Sequence, residues 1–222
     1  MSSPRSASLF SRLWNAAKQS DAGVHTVLNV GGGNKQIPLP PQYAGWVHLL
    51  LDIDPRGNPD IVCDARKLAT LPAGTYDSVY CSHNLEHYYR HDARKVLAGF
   101  IHLLKADGFV FIRVPDMGEL MRIVVNQGLD IDDVVYDSTA GPIAVRDVIY
   151  GYGVEIEKSG QDFYAHKTGF TQKSLNAFLE EAGFSKTFTT AANLEITAVG
   201  FLDEPTPFLR ELFGLPADSK SV

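Results

Sequence analysis

Short apolar runs recur along the first half of the chain and predict five β-strands, at 24–30, 47–53, 60–63, 76–81 and 108–114. Their positions are filled mainly by consecutive Val, Ile and Leu rather than by alternating polar and apolar residues. Such continuous runs are typical of parallel strands that are buried on both faces. The pattern therefore predicts a parallel sheet at the centre of the protein.

A helical period replaces the strand pattern in two places. Residues 91–105 place Leu97, Phe100, Ile101 and Leu104 on one stripe. Residues 171–182 begin at a capping Thr171 and end at Gly183. Two further runs, 184–190 and 194–201, read as an antiparallel pair of strands. The order predicts an α/β fold of Rossmann-like type, with a mostly parallel seven-stranded sheet and helices on both faces.

Two segments depart from this regular alternation. Pro38, Pro40 and Pro41 lie among the 16 residues (31–46) between the first two strands, so the first helix is predicted to be shortened or absent. Residues 117–170 are rich in glycine and scattered aromatic residues beyond one helix at 118–126. We interpret this segment as a cap inserted over the carboxyl ends of the strands.

The resulting domain organisation has three parts. Residues 1–22 are predicted to form an amphipathic helix, residues 23–203 the main domain with its cap, and residues 204–222 a peripheral tail. The net charge of −6 argues against a protein that mainly grips nucleic acid. Cys63 and Cys81 show no disulfide or metal spacing and are expected to be free thiols. Without a signal-like or membrane-spanning apolar run, the expected location is the cytoplasm.

The strongest chemical signal joins the first two strands. The first run ends in Gly31, Gly32 and Gly33, and the second closes on Asp52 about 20 positions later. Glycines let the backbone approach a ligand closely, and a carboxylate accepts hydrogen bonds from ribose hydroxyls. This combination predicts a nucleoside site.

Several segments together resemble the class I S-adenosylmethionine-dependent methyltransferases, particularly the type 11 group, over residues 25–201. The segments are Asn29-Val30-Gly31-Gly32-Gly33, Leu51-Asp52-Ile53-Asp54-Pro55, Cys63-Asp64-Ala65, Tyr80 to His87, Leu104 to Phe109 and Leu179 to Phe184. The resemblance implies that S-adenosylmethionine is the cofactor and that the acceptor is an unidentified small molecule, sugar or lipid precursor. It implies a cofactor site made by Asn29, Gly31, Gly32, Gly33, Asp52, Asp54, Asp64, Ala65, Ser82 and His83.

Transfer to a hydroxyl or ammonium acceptor also requires removal of a proton, and the candidate bases are His83, His166 and Tyr164. An alternative remains open, because Asn29 replaces the family's acidic residue and the first helix is short. The protein could be a non-catalytic relative that binds the cofactor or acts through partners.

A third hypothesis arises from His83-Asn84-Leu85-Glu86-His87, which matches the H-x-x-E-H pattern of zinc hydrolases. The motif follows a strand rather than lying within a long helix, so we expect no metal.

Overall fold

A computed structural model describes residues 23–216 and contains the predicted central sheet. The strand order is β3-β2-β1-β4-β5-β9-β8, with β1 to β5 parallel and the last two strands antiparallel. The strands are β1 Thr26–Val30, β2 Val47–Asp52, β3 Ile61–Val62, β4 Tyr76–Ser82, β5 Leu104–Pro115, β8 Lys186–Ala192 and β9 Glu195–Phe201. The predicted fold class is confirmed. The predicted helix at 1–22 lies outside the described residues.

The helices are α1 Arg90–Leu103, α2 Met117–Gln127, α3 Val145–Tyr150, α4 Gly153–Ser159, α5 Gln172–Ala182 and α6 Pro207–Phe213. Predicted and observed bounds agree within two residues except at the start of β5. That strand begins at Leu104, which leaves the helix to pair with Tyr76. Among the described residues, none of these helices is long and apolar enough to span a bilayer.

One face of the sheet is covered by α1 and α5. Their apolar stripes are fully buried against the strands, including Leu97 and Phe100 from α1 and Phe178 from α5. Helix α5 begins where Thr171 accepts a hydrogen bond from the backbone of Ser174 and ends at Gly183 with φ of 115°. The predicted cap and stop signals are therefore both used.

The opposite face lacks a helix between β1 and β2, as the prolines predicted. Residues 31–46 contain only a single 3-10 turn, Pro41–Tyr43. Aromatic side chains cover this face instead, and α6 docks on them through Leu209 and Phe213. The predicted tail at 204–222 contains α6, which packs on this apolar surface.

The cap insertion forms a small layer of its own. It contains α2, the hairpin β6 Val134–Ser138 and β7 Gly141–Ala144, and the short helices α3 and α4. Leu120, Ile143 and Val148 form its core. The segment after α4 returns across the carboxyl ends of β2 and β4, where it reaches the candidate site.

Candidate functional site

The glycine turn after β1 lies directly against the end of β2. Gly31 has φ of 73°, and its N–H donates to the carbonyl of Leu51 at 2.8 Å. The N–H of Gly33 donates to Oδ2 of Asp52 at 2.8 Å. The turn and the carboxylate predicted to share a nucleoside are therefore in direct contact.

Asp52 is held by backbone donors on both of its oxygens. Oδ1 accepts from the N–H of Asp54 at 2.8 Å, in addition to the Gly33 bond on Oδ2. The side chain is buried, with 7% of the residue exposed. Each carboxylate oxygen offers two acceptor positions, so each retains one for a ligand hydroxyl.

Two further carboxylates are clamped by arginines in the same local pattern. Asp54 and Asp64 each precede a 3-10 helix and accept the backbone N–H of the residue two positions on. That residue is Arg56 or Arg66, whose guanidinium also pairs with the carboxylate at 2.6 Å. The arginine hydrogen bonds hold the pKa of both carboxyl groups below the ordinary range. The Asp-x-Arg spacing occurs three times in the sequence, but in the third instance, Asp92 and Arg94 of α1, the arginine pairs with Glu181 instead.

A cavity of about 570 Å³ opens between the turn and the cap. The predicted residues that line it are Gly31, Gly33, Asp52, Asp54, Asp64, His83 and Tyr164. Arg56, Arg66 and Lys167 also line it and were not predicted. The lining does not include Asn29, Gly32, Ala65, Ser82 or His166. The predicted set is therefore only partly brought together.

Asn29 lies behind the turn rather than on the cavity. Its amide group packs against Gly32, where a Cβ would collide with it. Nδ2 lies 3.4 Å from Nε2 of His48, and the buried Oδ1 has no hydrogen-bond partner in the part of the chain that the structure describes. The side chain thus fills space that the glycine leaves open.

The cap closes over the end of β2 through Tyr164. Its hydroxyl donates to Oδ2 of Asp54 at 2.7 Å and accepts from Nη2 of Arg56 at 2.9 Å. Burial, followed by the hydrogen bond to Asp54, raises the pKa of Tyr164 to about 12. The phenol is therefore neutral and fully engaged at physiological pH.

His83 follows β4 and adopts a left-handed backbone conformation with φ of 48°. Nε2 contacts Oε2 of Glu195 at 2.8 Å, and Glu195 also accepts from Arg113 at 2.8 Å. Partial burial lowers the pKa of His83, but Glu195 and Glu86 outweigh it and raise the pKa to about 9. Sequence reasoning missed Glu195, which is distant in the chain and carries no local signal.

His166 belongs to the cap and lies beside the turn that follows His83. Nδ1 lies 2.9 Å from the carbonyl of Val148, and Nε2 lies 4.0 Å from Oε1 of Glu86. Burial is the main cause that lowers the pKa of His166. This histidine is therefore grouped with Glu86 rather than with the cavity lining.

The comparison of sequences places residues 28–112 in a family described as methyltransferase domain, type 11. This segment runs from β1 into β5 and includes the glycine turn and Asp52. This segment of the chain is therefore similar to methyltransferase domains. The cofactor of that family is S-adenosylmethionine, as the resemblance implied. No curated protein is significantly similar in sequence.

Solved structures share the fold of this chain. A SAM-dependent methyltransferase from Archaeoglobus fulgidus superposes with a TM-score of 0.52 at 14% identity, covering 88% of this chain and 93% of that one. The PH0226 protein from Pyrococcus horikoshii OT3 superposes with a TM-score of 0.52 at 14% identity. The match covers 90% of this chain and 92% of that one. Identity at this level shows a common fold alone.

Proposed function

We propose that the cavity binds S-adenosylmethionine and that the protein transfers its methyl group to an acceptor. The observation that carries the proposal is the hydrogen bond from Gly33 to Asp52 at the mouth of the cavity. It brings an exposed stretch of backbone and a carboxylate with spare acceptor positions to one place. These are the two features that a nucleoside requires.

The proposed donor site uses three predicted groups. The backbone of Gly31 and Gly33 faces the methionine portion, and the free acceptor positions of Asp52 receive the ribose hydroxyls. Asp64 also lines the cavity, and the family resemblance implies that it contacts the adenine amino group. The carboxylate of Asp64 already forms an ion pair with Arg66. We therefore propose that Asp64 contributes less than Asp52 to the free energy of cofactor binding.

The reaction is an in-line displacement. A lone pair of the acceptor forms a bond to the methyl carbon, and the bond from carbon to sulfur breaks with its electrons remaining on sulfur. The sulfonium becomes the neutral thioether S-adenosylhomocysteine, and the acceptor releases one proton if it began as a hydroxyl or ammonium. Alignment of acceptor and methyl group is the main protein contribution, because the donor is already activated.

The three candidate bases are each engaged in the structure. Tyr164 donates to Asp54, His83 is paired with Glu195, and His166 is turned toward Glu86. We therefore propose that transfer depends on alignment in the cavity rather than on one of these side chains accepting a proton unaided.

A second candidate function is cofactor binding without transfer. The observation in its favour is that Asn29 brings no charge and that both Asp54 and Asp64 are neutralised by arginines. Binding of the cofactor combined with an absence of turnover on every acceptor class tested supports this candidate over the enzyme.

The decisive experiment is calorimetric titration with S-adenosylhomocysteine. We expect a Kd on the order of 1–100 µM for the unaltered protein. Asp52→Asn should weaken binding by about 10- to 100-fold, since one charged acceptor is lost. Asp60→Asn is the matched control, because Asp60 accepts from Leu50 and Lys35 and does not line the cavity. Equal binding by Asp52→Asn and the control would refute the site.

A further inference from the structure

Glu86 is a buried carboxylate. The residue is 1% exposed, and within residues 23–216 neither Oε1 nor Oε2 has a hydrogen-bond partner. The nearest basic groups are Nδ1 of His83 at 3.6 Å and Nε2 of His166 at 4.0 Å. Both separations are too long for hydrogen bonds. The imidazolium of His83 supplies a compensating charge but no hydrogen bond, so both oxygens keep acceptor positions that no described residue uses.

In two histidines beside Glu86, a backbone carbonyl determines which ring nitrogen carries the proton. Nδ1 of His87 lies 3.2 Å from the carbonyl of Ala165, and Nδ1 of His166 lies 2.9 Å from that of Val148. A carbonyl only accepts, so each Nδ1 carries the proton and each Nε2 keeps a lone pair. A second nitrogen bonded to a backbone carbonyl is the usual support of a metal-binding histidine.

The spacing of these groups suits a single cation. One ligand atom from each of Glu86, His87 and His166 lies within 4.8 Å of the other two. Ligands about 2.0–2.2 Å from a metal are separated by at most about 4.4 Å, so small side-chain rotations complete the site. The rings of His87 and His166 meet edge to face with centroids 4.9 Å apart.

The backbone holds the two halves of this cluster together. The carbonyl of Glu86 accepts from the N–H groups of Lys167 at 2.8 Å and Thr168 at 3.1 Å. These bonds place His166, from the end of the cap, against the 3-10 helix Leu85–His87. The cluster is thus assembled by the fold before any ligand arrives.

We propose that Glu86, His87 and His166 form a binding site for one divalent transition-metal cation. Two imidazoles and one carboxylate suit zinc, manganese, iron, cobalt or nickel better than calcium or magnesium. The site differs from the H-x-x-E-H arrangement considered from sequence, because His166 replaces His83, which is held by Glu195. The proposal thus differs from the expectation, drawn from the sequence, that no metal binds.

The site lies at the wall of the donor cavity. His87 is part of the cavity lining, whereas Glu86 and His166 lie behind it. A cation held by His87 would therefore lie beside a molecule that occupies the cavity. This consequence rests on the proposed function, since it makes that molecule the methyl acceptor, but the metal site itself does not depend on it.

The test measures metal bound to the full-length chain without an affinity tag. Protein is stripped with a chelator, dialysed against Zn²⁺ or Mn²⁺, and analysed by mass spectrometry for metal per chain. We expect about one cation per chain, and about 100-fold or greater weakening in Glu86→Gln and His166→Gln. His91→Gln is the matched control, because His91 is a largely exposed histidine of α1 outside the cluster. Thermal melts of the metal-free variants verify folding.

Cobalt substitution supplies a readout that folding alone does not alter. Co²⁺ bound by two imidazoles and a carboxylate gives a visible absorption band, which should be lost in Glu86→Gln and retained in His91→Gln. Wild-type protein that binds no cation, or Glu86→Gln binding that equals wild type, overturns the proposal. S-adenosylhomocysteine is titrated into metal-free and metal-loaded protein in parallel. If S-adenosylhomocysteine does not bind, the metal content can still show the metal site. If no metal binds, the titration can still show the donor site.

Discussion

At the scale of single residues, the site depends on a close approach of backbone and side chain at the glycine turn. A Cβ on Gly31 would collide with the side chain of Asn84, and φ of 73° already disfavours any other residue. A left-handed conformation also occurs at Gly74, with φ of 60°, where none of the described residues lies within 4 Å of the position that a Cβ would occupy. The two glycines therefore separate the effect of backbone conformation from that of crowding.

Gly31→Ala and Gly74→Ala should destabilise the protein to different degrees. At both positions the left-handed conformation costs about 1–2 kcal/mol. Crowding against Asn84 should add about 1–3 kcal/mol at Gly31 alone. Chemical denaturation gives both free energies of unfolding. Equal losses for the two variants would show that Asn84 moves aside without cost.

At the scale of elements, α6 covers the sheet face that a helix between β1 and β2 would otherwise cover. Phe213 meets the rings of Phe109 and Phe111 edge to face, with centroids 5.1 and 5.4 Å apart. Leu209 is buried on the same surface, whereas Phe208 of the same helix is 49% exposed. The sheet face is thus covered by a helix from the end of the chain rather than from its start.

Leu209→Ala should lower the free energy of unfolding by about 2–4 kcal/mol, because it leaves a cavity in this aromatic layer. Phe208→Ala removes a larger side chain from the same helix and should cost below about 1 kcal/mol, since it is half exposed. Both values come from urea denaturation. If the two variants lost similar stability, or Phe208→Ala lost more, then α6 would not be docked as described.

At the scale of the whole molecule, Asp77 joins three separate parts of the sheet. This residue of β4 accepts from the N–H of Thr26 at 2.8 Å and from Nζ of Lys105 at 2.9 Å, and Nδ1 of His25 lies 3.4 Å away. Burial alone would raise the pKa of Asp77, but the bonds from Lys105 and Thr26 outweigh it and lower the pKa. The ionised carboxylate therefore stabilises the folded state.

Asp77→Asn should reduce the free energy of unfolding by about 1–3 kcal/mol at neutral pH. A folded pKa below the unfolded value means that this contribution is complete above about pH 4, the unfolded pKa, and is lost as the pH falls through the folded pKa. The difference between wild type and variant should therefore be the same at pH 7 and pH 5 and should shrink only below about pH 4. Urea denaturation at several pH values measures it, and a difference that already shrinks between pH 7 and pH 5 would contradict the assignment.

Whether a feature could be predicted depends on how far apart in the sequence the interacting residues lie. The strands, α1, α5 and the lost first helix were predictable because apolar period, caps and prolines act within a few residues. Asp52 was placed correctly against the glycine turn because parallel neighbours end at the same edge. The pairs of Asp54 and Asp64 with arginine are also local, but the same spacing at Asp92 and Arg94 forms no such pair, so spacing alone does not predict them.

The amino-acid sequence by itself determined the α/β class, the order of the strands along the chain, the glycine turn and the carboxylate beside it. Only the tertiary structure decided that α6 covers the bare sheet face, that Glu195 holds His83, and that His166 joins Glu86 and His87. The physical reason is that those contacts depend on where the cap and the tail return to the sheet. That return is set by the packing of whole surfaces, for which neighbouring residues carry no signal.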